Sequence, residues 1–160
     1  MAQDIFLKLK SIDGESQDPL HSNGFNVLTR DWSVSQQSNM HSGASGGAGK
    51  CKVDNLVFEH YVDRAPPNLM LHCLTSKHID RAILVMRKAG GTPLEHLKIT
   101  MHNVLITRIR PTANYNTAMP REEVQLSFAC VMQEYVIQNS QGGSGGTASM
   151  GYDIPANEAI

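Results

Sequence analysis

At 160 residues, with 14 Lys and Arg against 15 Asp and Glu and a formal net charge of -1, the chain has the size of one ordinary domain, 1–160, and lacks the basic footprint of a nucleic-acid binder. Hydrophobic residues make up 41% of it, yet no apolar run nears the roughly 18 residues that span a bilayer, so neither nucleic acid nor membrane insertion is expected. Three cysteines, Cys51, Cys73 and Cys130, odd in number and widely spaced, argue against a disulfide framework.

The N-terminal "MAQDIFLKLK" alternates apolar and polar residues and has neither a basic n-region nor a long apolar h-region. It reads as a first strand with Ile5, Leu7 and Leu9 on one face, not as a signal peptide, and a protein made in the cytoplasm is expected. In "NVLTRDWSVSQQ", Leu28, Trp32 and Val34 share one parity and Asp31, Ser33 and Ser35 the other. That pattern predicts a single strand with one polar face. "KVDNLVFEHYV" is a third strand whose parity slips between Val53 and Leu56, as a bulge would cause.

"RAPPNLMLHCLTSKH" is the one helical segment. Pro66 and Pro67 suit a helix start, Leu69, Met70, Cys73 and Leu74 recur at helical spacing, and Lys77 and His78 suit the negative end of the dipole. "RAILVMRKA" and "LEHLKITMHNVLITRIR", separated by Gly90, Gly91, Thr92 and Pro93, read as a hairpin. "EVQLSFACVMQEYVIQ" alternates with Val124, Leu126, Phe128, Cys130 and Met132 on one face, and a last strand surrounds "ASMGYDI". Many antiparallel strands with a single helix predict a mainly β fold, an antiparallel barrel or sandwich with one short flanking helix.

Three motifs invite chemistry. "ASGGAGKC" approaches a phosphate-binding loop, but Cys51 stands where a metal-binding hydroxyl is required and a β-patterned segment follows in place of a helix. "GASGG" and "GGSGG" match a nucleophile elbow without the α/β sheet, and no His follows Ser144. The seven histidines show no H-x-x-x-H, and no C-x-x-C is present; His96 and His102, six strand residues apart, would be about 20 Å from each other. No catalytic, cofactor or metal site is expected from these residues.

The ordered series "MAQDIFLKLKSIDGES", "GGAGK", "FEHYVDRAPPNLM", "RKAGGTPLEHLKIT", "VLITRIRP", "VQLSFA" and "GYDI" resembles the Hcp (haemolysin-coregulated protein) family, the tube protein of type VI secretion. Pro66 beside Pro67, the three cysteines and the "PTANYNTAMP" loop depart from that pattern. The resemblance implies a fold like that of phage tail-tube proteins and six-membered rings that stack into a tube. It further implies a contractile sheath around the tube, a spike protein at its tip, small effector proteins in the channel, and export without a signal peptide. The loop at 41–50 would then reach a neighbouring subunit or ring through His41, Gly43, Gly46, Gly47, Gly49 and Lys50, and Asp31, Ser33 and Ser35 would face the channel or an effector. Two alternatives remain open on the sequence: a monomeric β-barrel binding module with an internal pocket, and an enzyme built around Ser45 or the near phosphate loop.

Overall fold

The computed structural model describes residues 3–38, 51–88, 94–112, 119–141 and 143–160. Among them, strands β1 (Gln3–Leu9), β2 (Phe25–Asn26), β3 (Thr29–Asp31), β4 (Val34–Ser35), β5 (Lys52–Val53) and β6 (Leu56–Tyr61) precede the helix α1 (Pro66–Thr75). Strands β7 (Ile79–Lys88), β8 (Glu95–Thr112), β9 (Arg121–Gln138), β10 (Ser144–Asp153) and β11 (Glu158–Ala159) follow it. The paired strands run antiparallel, so the fold is mainly β with one short helix, as the alternating pattern predicts.

The hairpin β8–β9 organises the rest. Each of its strands has 18 residues, about 60 Å at the rise of a strand, too long to remain one flat ribbon. One stretch of β8 pairs with β7 from Glu95 to Val104, and the corresponding stretch of β9 pairs with β10 from Cys130 to Gln138. The other end of β9, Arg121 to Leu126, pairs with β6. Between these two zones Asn103 takes a left-handed conformation (φ 56°), and the β8–β9 register slips by one residue between Ile106 and Arg108. A kink and a bulge together bend the hairpin, so that its two ends serve different parts of the same sheet.

The bend explains where alternation fails. The buried apolar residues of β8 run Ile99, Met101, Val104, Ile106, with a step of three across Asn103. On β9, Val124, Leu126 and Phe128 are buried as expected, but Val131 then takes the core position while Cys130 is half-buried and Met132 is exposed.

The remaining gap is closed by 25–31. Phe25 and Asn26 pair with β1, and Thr29 to Asp31 pair with β6. At the crossover, the Val27 N–H donates to Ile5 O (2.9 Å) and the Leu28 N–H to Glu59 O (2.7 Å). Successive amides of an extended chain point to opposite sides, so this segment serves as a central strand between β1 and β6, and the sheet closes on itself. The expected single strand over 26–37 is therefore replaced by three short ones between Phe25 and Ser35. Likewise the parity slip before Leu56 is not a bulge: β5 leaves to pair with β4 in a separate ribbon, and β6 starts afresh.

One core cluster fills the closed sheet, including Leu7, Leu9, Phe25, Leu56, Phe58, Leu84, Met101, Ile106 and Leu126. The helix adds Leu69, with Ala65 just before it and a half-buried Cys73. Its prolines stand where N–H groups have no helical acceptor, and Ser76 (φ 55°) ends it in the left-handed region. Only part of the expected helix face is buried, however, because α1 packs mainly on β8.

A strap over 10–24 crosses the outer face of this wall. Asp18 pairs with Arg87 at 2.6 Å, His21 with Glu95 at 2.7 Å, and the His21 ring stacks on Phe6 at 4.5 Å. A side chain at Gly14 would meet the Gly24 carbonyl at 2.5 Å, so glycine is required where the strap doubles back. Phe58 is fully buried against Phe25 at the centre of the core. Phe58→Ala should cost about 3–5 kcal/mol in urea unfolding, and a loss below ~1 kcal/mol would show that this end of the barrel is not close-packed.

Candidate functional site

Two kinds of surface stand out: a polar strip on the short strands, and an open sheet edge with exposed apolar side chains. Asp31, Ser33 and Ser35 are all exposed, as their parity predicts. They do not form one strand face, because Asp31 ends β3 opposite Val57 whereas Ser35 lies in β4 opposite Lys52. Val34, expected in the core with Trp32, is 59% exposed.

Trp32 explains the break. Its ring lies 5.9 Å from Phe128, and its Nε1–H donates to the Asp54 carbonyl at 2.9 Å. The Asp54 N–H donates to Ser33 O at 3.0 Å, and the Ser33 hydroxyl donates to the Asp54 carboxylate at 2.5 Å. Lys52 stands 3.5 Å from the same carboxylate. The Ser33 hydrogen bond first, and Lys52 second, hold the Asp54 carboxyl below its usual range. Ser33 is thus engaged in fastening the β4–β5 ribbon. Asp31 makes no ion pair among the described residues and presents its carboxylate outward.

His41, Gly43, Gly46, Gly47, Gly49 and Lys50 lie outside the described residues, in the connection between β4 and β5. At its far end Cys51 sits beside the Tyr152 hydroxyl at 3.5 Å and leads into β5. A strand here removes the helix N-terminus on which a phosphate loop depends.

The second surface was not read from the sequence. Among the described residues, β10 pairs with β9 on one side, and on the other it meets β11 only at Tyr152 and Asp153. Residues 144–150, Ser-Gly-Gly-Thr-Ala-Ser-Met, are exposed throughout and carry no charge and no proline. Such an edge lacks the usual devices that block strand addition. Beside it on β9 stand exposed Tyr135 and Ile137. On α1, Met70, Leu71 and Leu74 are also exposed, Leu74 by 77%, although Met70 and Leu74 were expected in the core.

Three comparisons bear on these surfaces. A family model described as "Type VI secretion system effector, Hcp" matches residues 6–135. The chain is similar to Protein hcp1 of Pseudomonas aeruginosa, with 39% identity over 98% of both chains. Its fold resembles the crystal structure of Hcp1 from Salmonella typhimurium, with a TM-score of 0.83 and 46% identity over the whole of both chains. It also resembles a type VI secretion system effector from Yersinia pestis, with a TM-score of 0.78 and 38% identity over 94% of this chain and 100% of that one.

Trp32 is the sole tryptophan, so its fluorescence reports the ribbon. Protonating Asp54 removes the charge that Ser33 and Lys52 hold, and emission should change as pH falls through the depressed range of that carboxyl. Ser33→Ala removes the larger of the two causes, so the transition should move to higher pH. An unchanged transition would mean that the hydrogen bond does not hold the carboxylate.

Proposed function

The chain belongs to the Hcp family of secreted type VI secretion proteins, structural components and not enzymes, and on that premise we propose that it is a tube subunit whose copies close into six-membered rings. The rings stack into the exported inner tube, and the whole of 1–160 acts as one tube domain. The observation that carries this reading is the uncharged open edge of β10 beside Tyr135 and Ile137, on the same chain as the separate apolar face of α1. A ring needs two different patches that meet head to tail, and a chain with one patch only would give a closed pair. Controlled strand contact at an unprotected edge converts an aggregation liability into assembly.

In this reading the loop at 41–50, with His41, Gly43, Gly46, Gly47, Gly49 and Lys50, reaches a neighbouring subunit or ring. Asp31 and Ser35 face the channel, with Ser33 between them as the fastener of the ribbon. The contractile sheath surrounds the tube, the spike protein tips it, and small effectors travel inside it. The protein leaves the cell by this machine.

Light scattering after size exclusion should give roughly sixfold the 17.6 kDa chain mass, and negative-stain images should show rings. Leu74→Asp, on an exposed side chain of α1, should shift the mass toward monomer with an unchanged circular dichroism spectrum. A wild-type monomer at high concentration would contradict the proposal. For the channel, Asp31→Trp should reduce recovery of a co-expressed effector while rings persist, and undiminished recovery from intact rings would remove Asp31 from the cargo surface.

A further inference from the structure

The core-facing positions of β6 and β9 end on a polar pair. His60 and Glu122 stand opposite each other in the register, next in line after Phe58 and Val124, and are 1% and 2% exposed. Nε2 of His60 lies 3.0 Å from Glu122 Oε1. The imidazole is caged by Phe25, edge-on at 5.0 Å, and by Phe58 at 5.9 Å. Its other nitrogen, Nδ1, is buried without a hydrogen-bond partner among the described residues, an expensive condition for a polar atom.

The nearest group to Nδ1 is a second carboxylate. Asp63 Oδ2 is 3.8 Å away, beyond hydrogen-bond reach, while Asp63 Oδ1 accepts from the Ala65 N–H at 2.8 Å. Other charges nearby are engaged or lie outside the cage. Arg64 turns to the strap, to Gly14 O and Asn23 Oδ1, and Arg121 pairs with Glu59 on the opposite face of the sheet. Glu15 of the strap lines the same cleft as His60, adding negative charge, and β2 contributes only Phe25 and the neutral Asn26. From α1 and its lead-in come Ala65 and Leu69, which carry none.

We propose that His60 is a proton-operated clamp between the barrel wall and the start of α1. A neutral ring donates one hydrogen bond, from Nε2–H to Glu122, and leaves Nδ1 facing an anion. When the ring takes a proton from solvent, Nδ1–H forms and closes on Asp63 by about an ångström, to ordinary hydrogen-bond length, while Nε2–H stays on Glu122. No other bond changes. The charged ring then joins β6 and β9 to the Asp63 turn that begins the helix. The clamp joins the two elements only in the charged form, which gains a partner that the neutral ring lacks. The inference stands apart from ring formation and does not depend on it.

The test uses the full chain labelled with 15N-histidine and followed by NMR between pH 5.5 and 8.5, beside thermal unfolding. An exchange-protected Nδ1–H of His60 is expected at pH 5.5 and its loss at pH 8.5. Asp63→Asn keeps an oxygen for the Ala65 N–H but removes the charge, and should lose that signal throughout. The difference in melting temperature between wild type and Asp63→Asn should widen toward pH 5.5. An absent Nδ1–H in the wild type at pH 5.5, a signal that survives in Asp63→Asn, or a difference constant with pH overturns the clamp. Should Asp63→Asn fail to fold, the wild-type signal decides alone, with Glu122→Gln as the second variant expected to weaken it.

Discussion

A strand has two edges, and every backbone group on a buried edge must find a partner; the β8–β9 hairpin meets this demand by serving two stretches of one closed sheet in turn. Asn103 in the left-handed region and the register slip before Arg108 bend it, so that β7 and β10 use one stretch and β6 the other. The rest of the fold answers to that bend. With β6 and β1 placed on opposite sides of the opening, the segment 25–31 has to pair with both, and its consecutive amides at Val27 and Leu28 do so. The core then lies inside a closed sheet, and the helix is left on the outside with one face buried.

Among the described residues, the same accounting leaves 144–150 of β10 with a strand partner on one side only. β9 is paired by β6 over Arg121 to Leu126 and by β10 over Cys130 to Gln138, and this moves the unpaired row of backbone groups out to β10, where residues 144–150 offer no charge and no proline against a partner strand. In a protein that acts alone such an edge would be a hazard. For a family of secreted structural proteins it is a place where another copy can continue the sheet. The apolar residues of α1 lie on a different element, and that separation distinguishes a ring from a symmetric pair.

Much of the architecture was legible because alternation survives wherever a strand stays in one sheet. Ile5, Leu7 and Leu9, the helix start at Pro66, and the run Val124, Leu126, Phe128 all lie as their spacing predicts. Prediction failed where a strand bends or leaves the main sheet. Cys130 and Met132 lost the core position to Val131, opposite the bend at Asn103, and Val34 left the core when β4 turned off to pair with β5. Periodicity carries no record of such changes of partner, although an Asn inside a long strand pattern was a clue. Of the site, the outward placement of Asp31, Ser33 and Ser35 could be read, whereas the engagement of Ser33 with Asp54 could not, since it depends on Trp32 reaching Phe128. The last strand was expected around "ASMGYDI", yet it starts earlier, at Ser144, and 144–150 is an edge strand; its lack of charge was the available signal.

The central claim, that the fold leaves the β10 edge open for a second copy, is most directly tested by amide hydrogen exchange over 144–150 at high and low protein concentration. The account predicts that amides facing away from β9 exchange slowly in the assembled protein and become fast on dilution to monomer, while those of β9 and β8 stay protected in both. Equal exchange of the β10 edge in the two states, with assembly verified by mass, would contradict it and place the contact between copies elsewhere on the molecule.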